Sequence, residues 1–248
     1  MRGLILAAGR GSRMKALTDH QPKCFAVLHG RRLLDWQVSA LHGAGIEHVA
    51  LVRGYCGEAF DLDLHYLENP LWASSNMVRT LLAADEWLSG DDCIVSYSDI
   101  VYTANTVMAL AANPAALAIA YDPNWLTLWS QRFTDPLADA ESFSLDQQGD
   151  LATIGERCTS VEQIQGQYMG LLKFTPAAWA RIRQWLLSLE ASDVDRLDMT
   201  TLLRRLLTTG ERIAVSPVVG PWGEVDACED LELYHRLLSA QALAGGPQ

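Results

Sequence analysis

Apolar runs and helical spacings alternate along the chain in a regular order. Leu4-Ile5-Leu6-Ala7-Ala8 is an unbroken apolar run and reads as a strand buried on both faces. Residues 31–44 then place Leu34, Val38 and Leu41 on one helical face, and Gly45 ends that helix. Val49-Ala50-Leu51-Val52 predicts a second buried strand and residues 64–67 a third. A polar loop over residues 68–77 offers Ser75 or Asn76 as the cap of a helix running to about Leu88. Cys93-Ile94-Val95-Ser96-Tyr97-Ser98-Asp99 predicts a strand that delivers Asp99 at its carboxyl end. A helix over residues 105–112 and a strand over residues 117–121 follow. This succession predicts an α/β fold, a Rossmann-like doubly wound and mostly parallel sheet, whose ligands sit beyond the carboxyl ends of the strands.

The pattern changes at Asp122. Phe143 and Leu145, then Leu151 and Ile154, alternate as a strand pair turning at Gln148-Gly149. Tyr168-Met169-Gly170-Leu171-Leu172-Lys173-Phe174 is a strand in which alternation sends Lys173 to the face opposite Leu172, toward solvent or toward an anionic substrate. Pro176 opens a helix with Trp179, Ile182, Leu186 and Leu189 at helical spacing, and residues 199–207 form another. A late strand over residues 213–218 leads to Val225-Asp226 and a last helix reaching about Ala242. The Gly-Gly-Pro-Gln tail is expected to fray. No internal repeat appears.

The length of 248 residues and a hydrophobic fraction of 49% suit one domain over residues 1–248, with 122–170 as a lobe. A formal charge of −11 argues against a nucleic-acid partner, since phosphate backbones recruit basic surfaces, yet leaves room for a local basic pocket. Five scattered cysteines suit reduced thiols rather than a disulfide frame or zinc site, and the dispersed histidines form no metal cluster. With no signal-peptide pattern and no apolar run of membrane-spanning length, the expectation is a cytoplasmic protein without a membrane partner. Eight tryptophans either supply surface for a homodimer or are all buried.

The chemistry starts at the first turn. Ala7, Ala8, Gly9 and Gly11 let the backbone approach something bulky, and amides bared after a strand suit a phosphate cradle. Arg13 adds a charge that does not titrate. The turn is not a Walker loop, because Ser12-Arg13 follows Gly11 where Lys-Ser/Thr belongs, and Met14 stands where a dinucleotide fingerprint has its third glycine. Between residues 122 and 141, aspartates and tryptophans accumulate. They hold an ammonium group by charge and cation–π contact, or they are a solvated acidic loop over core tryptophans.

The string Leu6-Ala7-Ala8-Gly9-Arg10-Gly11-Ser12-Arg13-Met14, with Pro22-Lys23 shortly after, resembles the signature of MobA-like and LicC-like nucleotidyltransferases. Ser96-Tyr97-Ser98-Asp99-Ile100-Val101-Tyr102 and the stretches around Trp129 and Tyr168 look like the branch that activates phosphocholine and aminoethylphosphonate. The resemblance implies a fold of the nucleotide-diphospho-sugar transferase type and transfer of CMP from CTP to a small phosphorylated or phosphonate acceptor, with release of pyrophosphate. It assigns nucleotide binding to Leu6, Ala7, Ala8, Gly9, Gly11, Ser12, Asn76 and Ser98, and catalytic roles to Arg13 and Lys23. Asp99 and Asp226 match the family's two carboxylates for Mg²⁺. Trp129, Asp135, Asp139, Glu141, Tyr168, Lys173 and Trp222 are the candidates for the acceptor, and residues 122–170 its lobe. The attacking oxyanion is already ionised near neutral pH, so no general base is needed. Two other readings share the core. One is a sugar-1-phosphate nucleotidylyltransferase using UTP or dTTP. The other is a nucleotide-binding regulator, which would ordinarily have lost Arg13, Lys23 or an aspartate.

Overall fold

The computed structural model describes residues 1–245, and of residues 15 and 16 only the backbone. The expected frayed tail from residue 246 lies outside the described residues. Among these, seven strands join one sheet: β1 (Arg2–Ala7), β2 (Val49–Arg53), β3 (His65–Glu68), β4 (Cys93–Tyr97), β5 (Leu117–Asp122), β6 (Gln167–Phe174) and β7 (Ala214–Pro217). Their spatial order is β7-β5-β6-β4-β1-β2-β3. β1 pairs in parallel with β2 and β4, β2 with β3, and β5 with β7. β6 runs antiparallel to both its neighbours, β4 and β5. The continuous apolar runs are the buried strands, with Leu4, Ile5, Ala50, Leu51, Val52, Ile94 and Val95 fully enclosed.

Helices α1 (Leu33–Gly43), α2 (Met77–Leu82), α3 (Ala104–Ala112), α4 (Trp125–Arg132), α5 (Pro176–Leu187), α6 (Met199–Thr208) and α7 (Cys228–Leu237) cover the sheet. Neighbouring residues of β6 mark its two faces. Lys173 reaches the carboxyl end of α3, whereas Phe174 packs edge-on against Trp179 of α5. Because successive strand residues point to opposite faces, α3 and α5 lie on opposite sides of the sheet. The expected helix to Leu88 is instead two pieces. Ala84 N–H bonds the Leu81 carbonyl in a tightened turn, and a new helix starts over Asp85–Gly90. That second piece is anchored to α5, since Asp85 accepts from Trp179 Nε1 at 2.8 Å and Arg183 Nε at 2.6 Å. The last helix also stops early, at Leu237. Leu238 turns extended because its side chain is buried and its carbonyl is 2.6 Å from His29 Nε2; Ala240–Leu243 then forms a separate turn of helix.

Between β5 and β6 lie α4 and an antiparallel hairpin, Glu141–Leu145 with Leu151–Arg157, closed by a turn in which Gly149 has φ +83°. Phe143, Leu151, Ile154, Trp125 and Trp129 are buried continuously with the sheet's own core. A smaller core of Met14, Leu28, Leu33, Trp36, Val225 and Tyr234 seats the first loop against the carboxyl-terminal segment. Of the eight tryptophans, Trp36, Trp125, Trp129, Trp179 and Trp222 are buried, and Trp72, Trp87 and Trp185 are half-buried.

Candidate active site

Parallel pairing puts the carboxyl ends of β1, β2, β4, β5 and β7 on one edge of the sheet, and the site is built there. After β1 the chain passes through Ala8 and Gly9 to Gly11, at φ +65°. A side chain at Gly11 would put its Cβ 2.7 Å from Lys23 Cδ, so the glycine is what lets Lys23 cross beneath the turn. Nothing stands within 4 Å of a Cβ placed at Gly9, which faces open space.

Asp99 leaves the carboxyl end of β4. Its carbonyl accepts from Val225 N–H at 2.8 Å, and the two-residue strands Ile100–Val101 and Gly223–Glu224 pair just beyond. This pairing sets Asp226 beside Asp99, 127 positions earlier in the chain. Lys23, buried to 7% exposure, donates from Nζ to Asp99 Oδ2 and to Asp226 Oδ1, each at 2.8 Å. Arg13 reaches Asp226 Oδ1 at 2.7 Å. On the other side stands Arg132, from the end of α4, its side chain fully buried. It lies 3.2 Å from Glu224 Oε2, 3.7 Å from Asp226 Oδ2 and 3.1 Å from Asp230 Oδ1. Asp230 caps α7 by accepting from the N–H groups of Asp226 and Ala227, which fixes the backbone that carries Asp226.

These contacts shift the groups' acidities. Burial pushes the Asp226 carboxyl up, but Lys23, Arg13 and Arg132 outweigh it and hold it below the usual carboxylate range. Burial lowers Lys23, and the two aspartates more than compensate. Glu224 rises to about 8, first through burial and then through the charges of Asp226 and Asp99. Asp99 Oδ1 is buried with no hydrogen-bond partner among the described residues.

A cavity of about 310 Å³ adjoins this cluster. Arg13 and Asp226 form its inner edge, Tyr97, Trp129 and Tyr168 supply aromatic wall, and Asp139, Glu141, Asp198 and Glu224 supply carboxylates. Gly170, at φ +81° in an irregular stretch of the β5–β6 pairing, makes room for the Tyr97 ring. A second cleft of about 100 Å³ opens beside Ala8 and Gly9, with Leu6 and Asn76 also in its lining. Asn76 is the cap of α2, accepting from Met77 N–H at 2.8 Å, so capping and cleft lining coexist in one residue.

Three acceptor candidates lie elsewhere. Lys173 is at the far edge of the sheet, donating to the carbonyls of Ala111 and Asn113 at 3.2 and 2.6 Å. It sits there because β6 is antiparallel, which carries the strand's end away from the site while Gln167 and Tyr168, at its start, line the cavity. Asp135 is exposed and caps a short turn through Leu137 N–H. Trp222 is a packing residue, its ring tilted against Trp129 at 6.1 Å between centroids and its indole N–H donating to Asp122 Oδ2 at 2.9 Å. Ala7 is buried beneath the turn, Ser12 is exposed on it, and Ser98 occupies the turn before Asp99. Sequence reasoning missed Arg132, Tyr97, Asp198 and Glu224. Glu224 had a signal, because Glu-Val-Asp in an extended segment puts both acids on one face.

A model of the MobA-like NTP transferase domain matches residues 3–187. The chain is 32% identical to the CTP:phosphoglutamine cytidylyltransferase of Campylobacter jejuni, over 94% of this chain and 98% of that one. Among solved structures it is similar to the CTP:phosphocholine cytidylyltransferase of Streptococcus pneumoniae, with a TM-score of 0.72, 16% identity and coverage of 96% and 99%. It is also similar to a putative glucose-1-phosphate thymidylyltransferase of Bacillus anthracis, with a TM-score of 0.76, 14% identity and full coverage of both chains. At these identities the two structures bear on the fold alone.

Proposed function

Because the chain belongs to the MobA-like NTP transferase family and is a nucleotidyltransferase, we propose that it moves CMP from CTP to a small phosphorylated or phosphonate acceptor with a cationic head. The observation that carries this reading is the cluster of Lys23, Arg13, Asp99 and Asp226 at the edge of an acidic, aromatic cavity. An oxygen of the acceptor's phosphate or phosphonate forms a bond to the α-phosphorus of CTP. The bond from that phosphorus to the bridging oxygen breaks in line, and pyrophosphate leaves. Two anions must meet, so catalysis is charge neutralisation and positioning. The backbone of residues 8–12 holds the triphosphate, Arg13 balances its outer phosphates, and Lys23 offsets charge at the α-phosphate.

Mg²⁺ fits the residues present. Asp99 and Asp226 would hold it, and the buried, unpartnered Oδ1 of Asp99 is a donor of the hard oxygen type it prefers. When bound, it supplies charge neutralisation shared between nucleotide and acceptor. Two carboxylates suffice if phosphate oxygens and waters complete the shell. On the acceptor side, five acidic side chains and four aromatic rings line one cavity, which favours an ammonium group. Phosphocholine, aminoethylphosphonate and a phosphorylated amino-acid amide such as phosphoglutamine all meet that description.

The test is pyrophosphate release with Mg²⁺, with CTP, UTP, ATP, GTP and dTTP each set against those three acceptors and sugar-1-phosphates. Release confined to CTP with an amine-bearing acceptor is expected, and Asp99→Ala should abolish it while the protein stays folded. Release with UTP or dTTP and a sugar phosphate would overturn the proposal.

A further inference from the structure

Asp99 and Asp226 already share a cation of the chain's own. Lys23 Nζ stands 2.8 Å from Asp99 Oδ2 and 2.8 Å from Asp226 Oδ1, so one ammonium spans the oxygens that the two carboxylates turn toward each other. Asp226 Oδ1 also receives Arg13 at 2.7 Å, and its Oδ2 lies 3.7 Å from Arg132. A metal held jointly by the two aspartates needs the place that the ammonium fills. Mg²⁺ binds oxygens at about 2.0–2.1 Å, and an ammonium has no lone pair to offer it. The two cations therefore exclude each other. Lys23 differs from a metal in being tethered. Its Cδ, Cβ and Cγ pass beneath Gly11, at 2.7, 2.8 and 2.9 Å from where a side chain there would begin. The stem is held, and the last bonds that carry Nζ are left to turn. A displaced ammonium thus stays under the turn of residues 8–12, beside whatever phosphate that turn carries.

We propose that Lys23 sets the order of binding: its ammonium occupies the place between Asp99 and Asp226 until a nucleotide's phosphates draw it away, so a divalent cation enters with the nucleotide and not before it. The inference rests on the reading of Asp99 and Asp226 as the carboxylates for Mg²⁺ and adds a sequence of events to it. A metal arriving alone must break two charge-assisted hydrogen bonds and leave a buried ammonium without a partner. A metal arriving with a nucleotide meets no such penalty, because phosphate oxygens take over the bonds that Lys23 gives up.

The experiment is titration of the nucleotide-free full chain with Mn²⁺, which suits the same oxygen ligands as Mg²⁺ and is counted by electron paramagnetic resonance. Lys23→Met is expected to bind Mn²⁺ at least about tenfold more tightly than the wild type, the scale of the charge-assisted bonds no longer to be broken. Arg13→Met also removes a positive charge from Asp226 Oδ1, but it leaves the place between the aspartates filled. Arg13 is exposed and screened, so its removal should gain less than about threefold. Equal gains in the two variants would mean general charge repulsion and overturn the inference, as would no gain in Lys23→Met. Adding Asp99→Asn to Lys23→Met should abolish the tight binding. Persistence of that binding would place the metal elsewhere and overturn the reading of the two carboxylates, and this inference with it. No gain in Lys23→Met, with wild-type binding still dependent on Asp99, would overturn the order of binding alone. Should Lys23→Met fail to fold, Lys23→Gln, uncharged and too short to span both carboxylates, carries the same expectation.

Discussion

At the scale of single residues, two glycines in one turn have different jobs. Gly11 is needed for a positive φ and for the passage of Lys23 beneath it, whereas Gly9 borders empty space. Gly11→Ala is expected to displace Lys23 from Asp99 and Asp226 and lower kcat by about a hundredfold, the usual cost of misplacing a catalytic group by an ångström. It should also destabilise the fold by about 1–2 kcal/mol, the penalty of the left-handed region for a residue with a Cβ. Gly9→Ala should leave stability unchanged and raise KM for the nucleotide. Steady-state kinetics beside urea titrations separate the two, and equal behaviour of both variants would remove the distinction. The glycine positions were legible because small residues after an apolar strand have few other uses. The company of Asp99 was legible only through the family resemblance, because Lys23 and Asp226 lie 76 and 127 positions away and no local pattern pairs them.

At the scale of elements, the direction of one strand decided what composition could not. Alternation along β6 says only which face Lys173 takes; whether that face ends at the site depends on whether β6 runs with its neighbours or against them. It runs against them, and Lys173 neutralises the carbonyl end of α3 instead. Lys173→Met should therefore cost about 2 kcal/mol, since charge-assisted bonds to two half-buried carbonyls are lost. It should leave kcat per folded molecule untouched. A lower denaturation midpoint with unchanged turnover is the expected result; reduced turnover at full stability would return Lys173 to the mechanism. Arg132 shows the converse. A basic residue ending a helix after two polar positions looks solvated, yet α4 packs so that its guanidinium is enclosed by Glu224, Asp226 and Asp230.

At the scale of the whole molecule, the net charge of −11 is unevenly placed, with carboxylates converging on the larger cavity. Burial holds the Glu141 carboxyl above its ordinary value of 4.5, opposed by a hydrogen bond from Thr200. A carboxyl raised in the folded state contributes stability below its unfolded pKa and loses it as pH rises through the folded one. Asp226 has the opposite sign: held low, it stabilises above the ordinary range and loses that as pH falls. The stability of the wild-type protein relative to Glu141→Gln should therefore decline as pH rises from below 4.5, read from urea midpoints across a pH series. A flat difference would mean that Glu141 is solvated in the folded protein. A cationic acceptor should reverse the decline by favouring the ionised carboxyl.

The order of strands and helices, the glycine turn and the two aspartates at strand ends were determined by sequence, because each depends on periodicity or on a short motif with one geometric solution. The tertiary structure alone decided the direction of β6, the enclosure of Arg132 and the pairing of Ile100–Val101 with Gly223–Glu224 that sets Asp226 beside Asp99, a neighbourhood the sequence offered only through its family resemblance. Those are contacts between segments far apart in the chain, and side-chain pattern within a segment carries no information about which distant segment will pair with it, or in which direction.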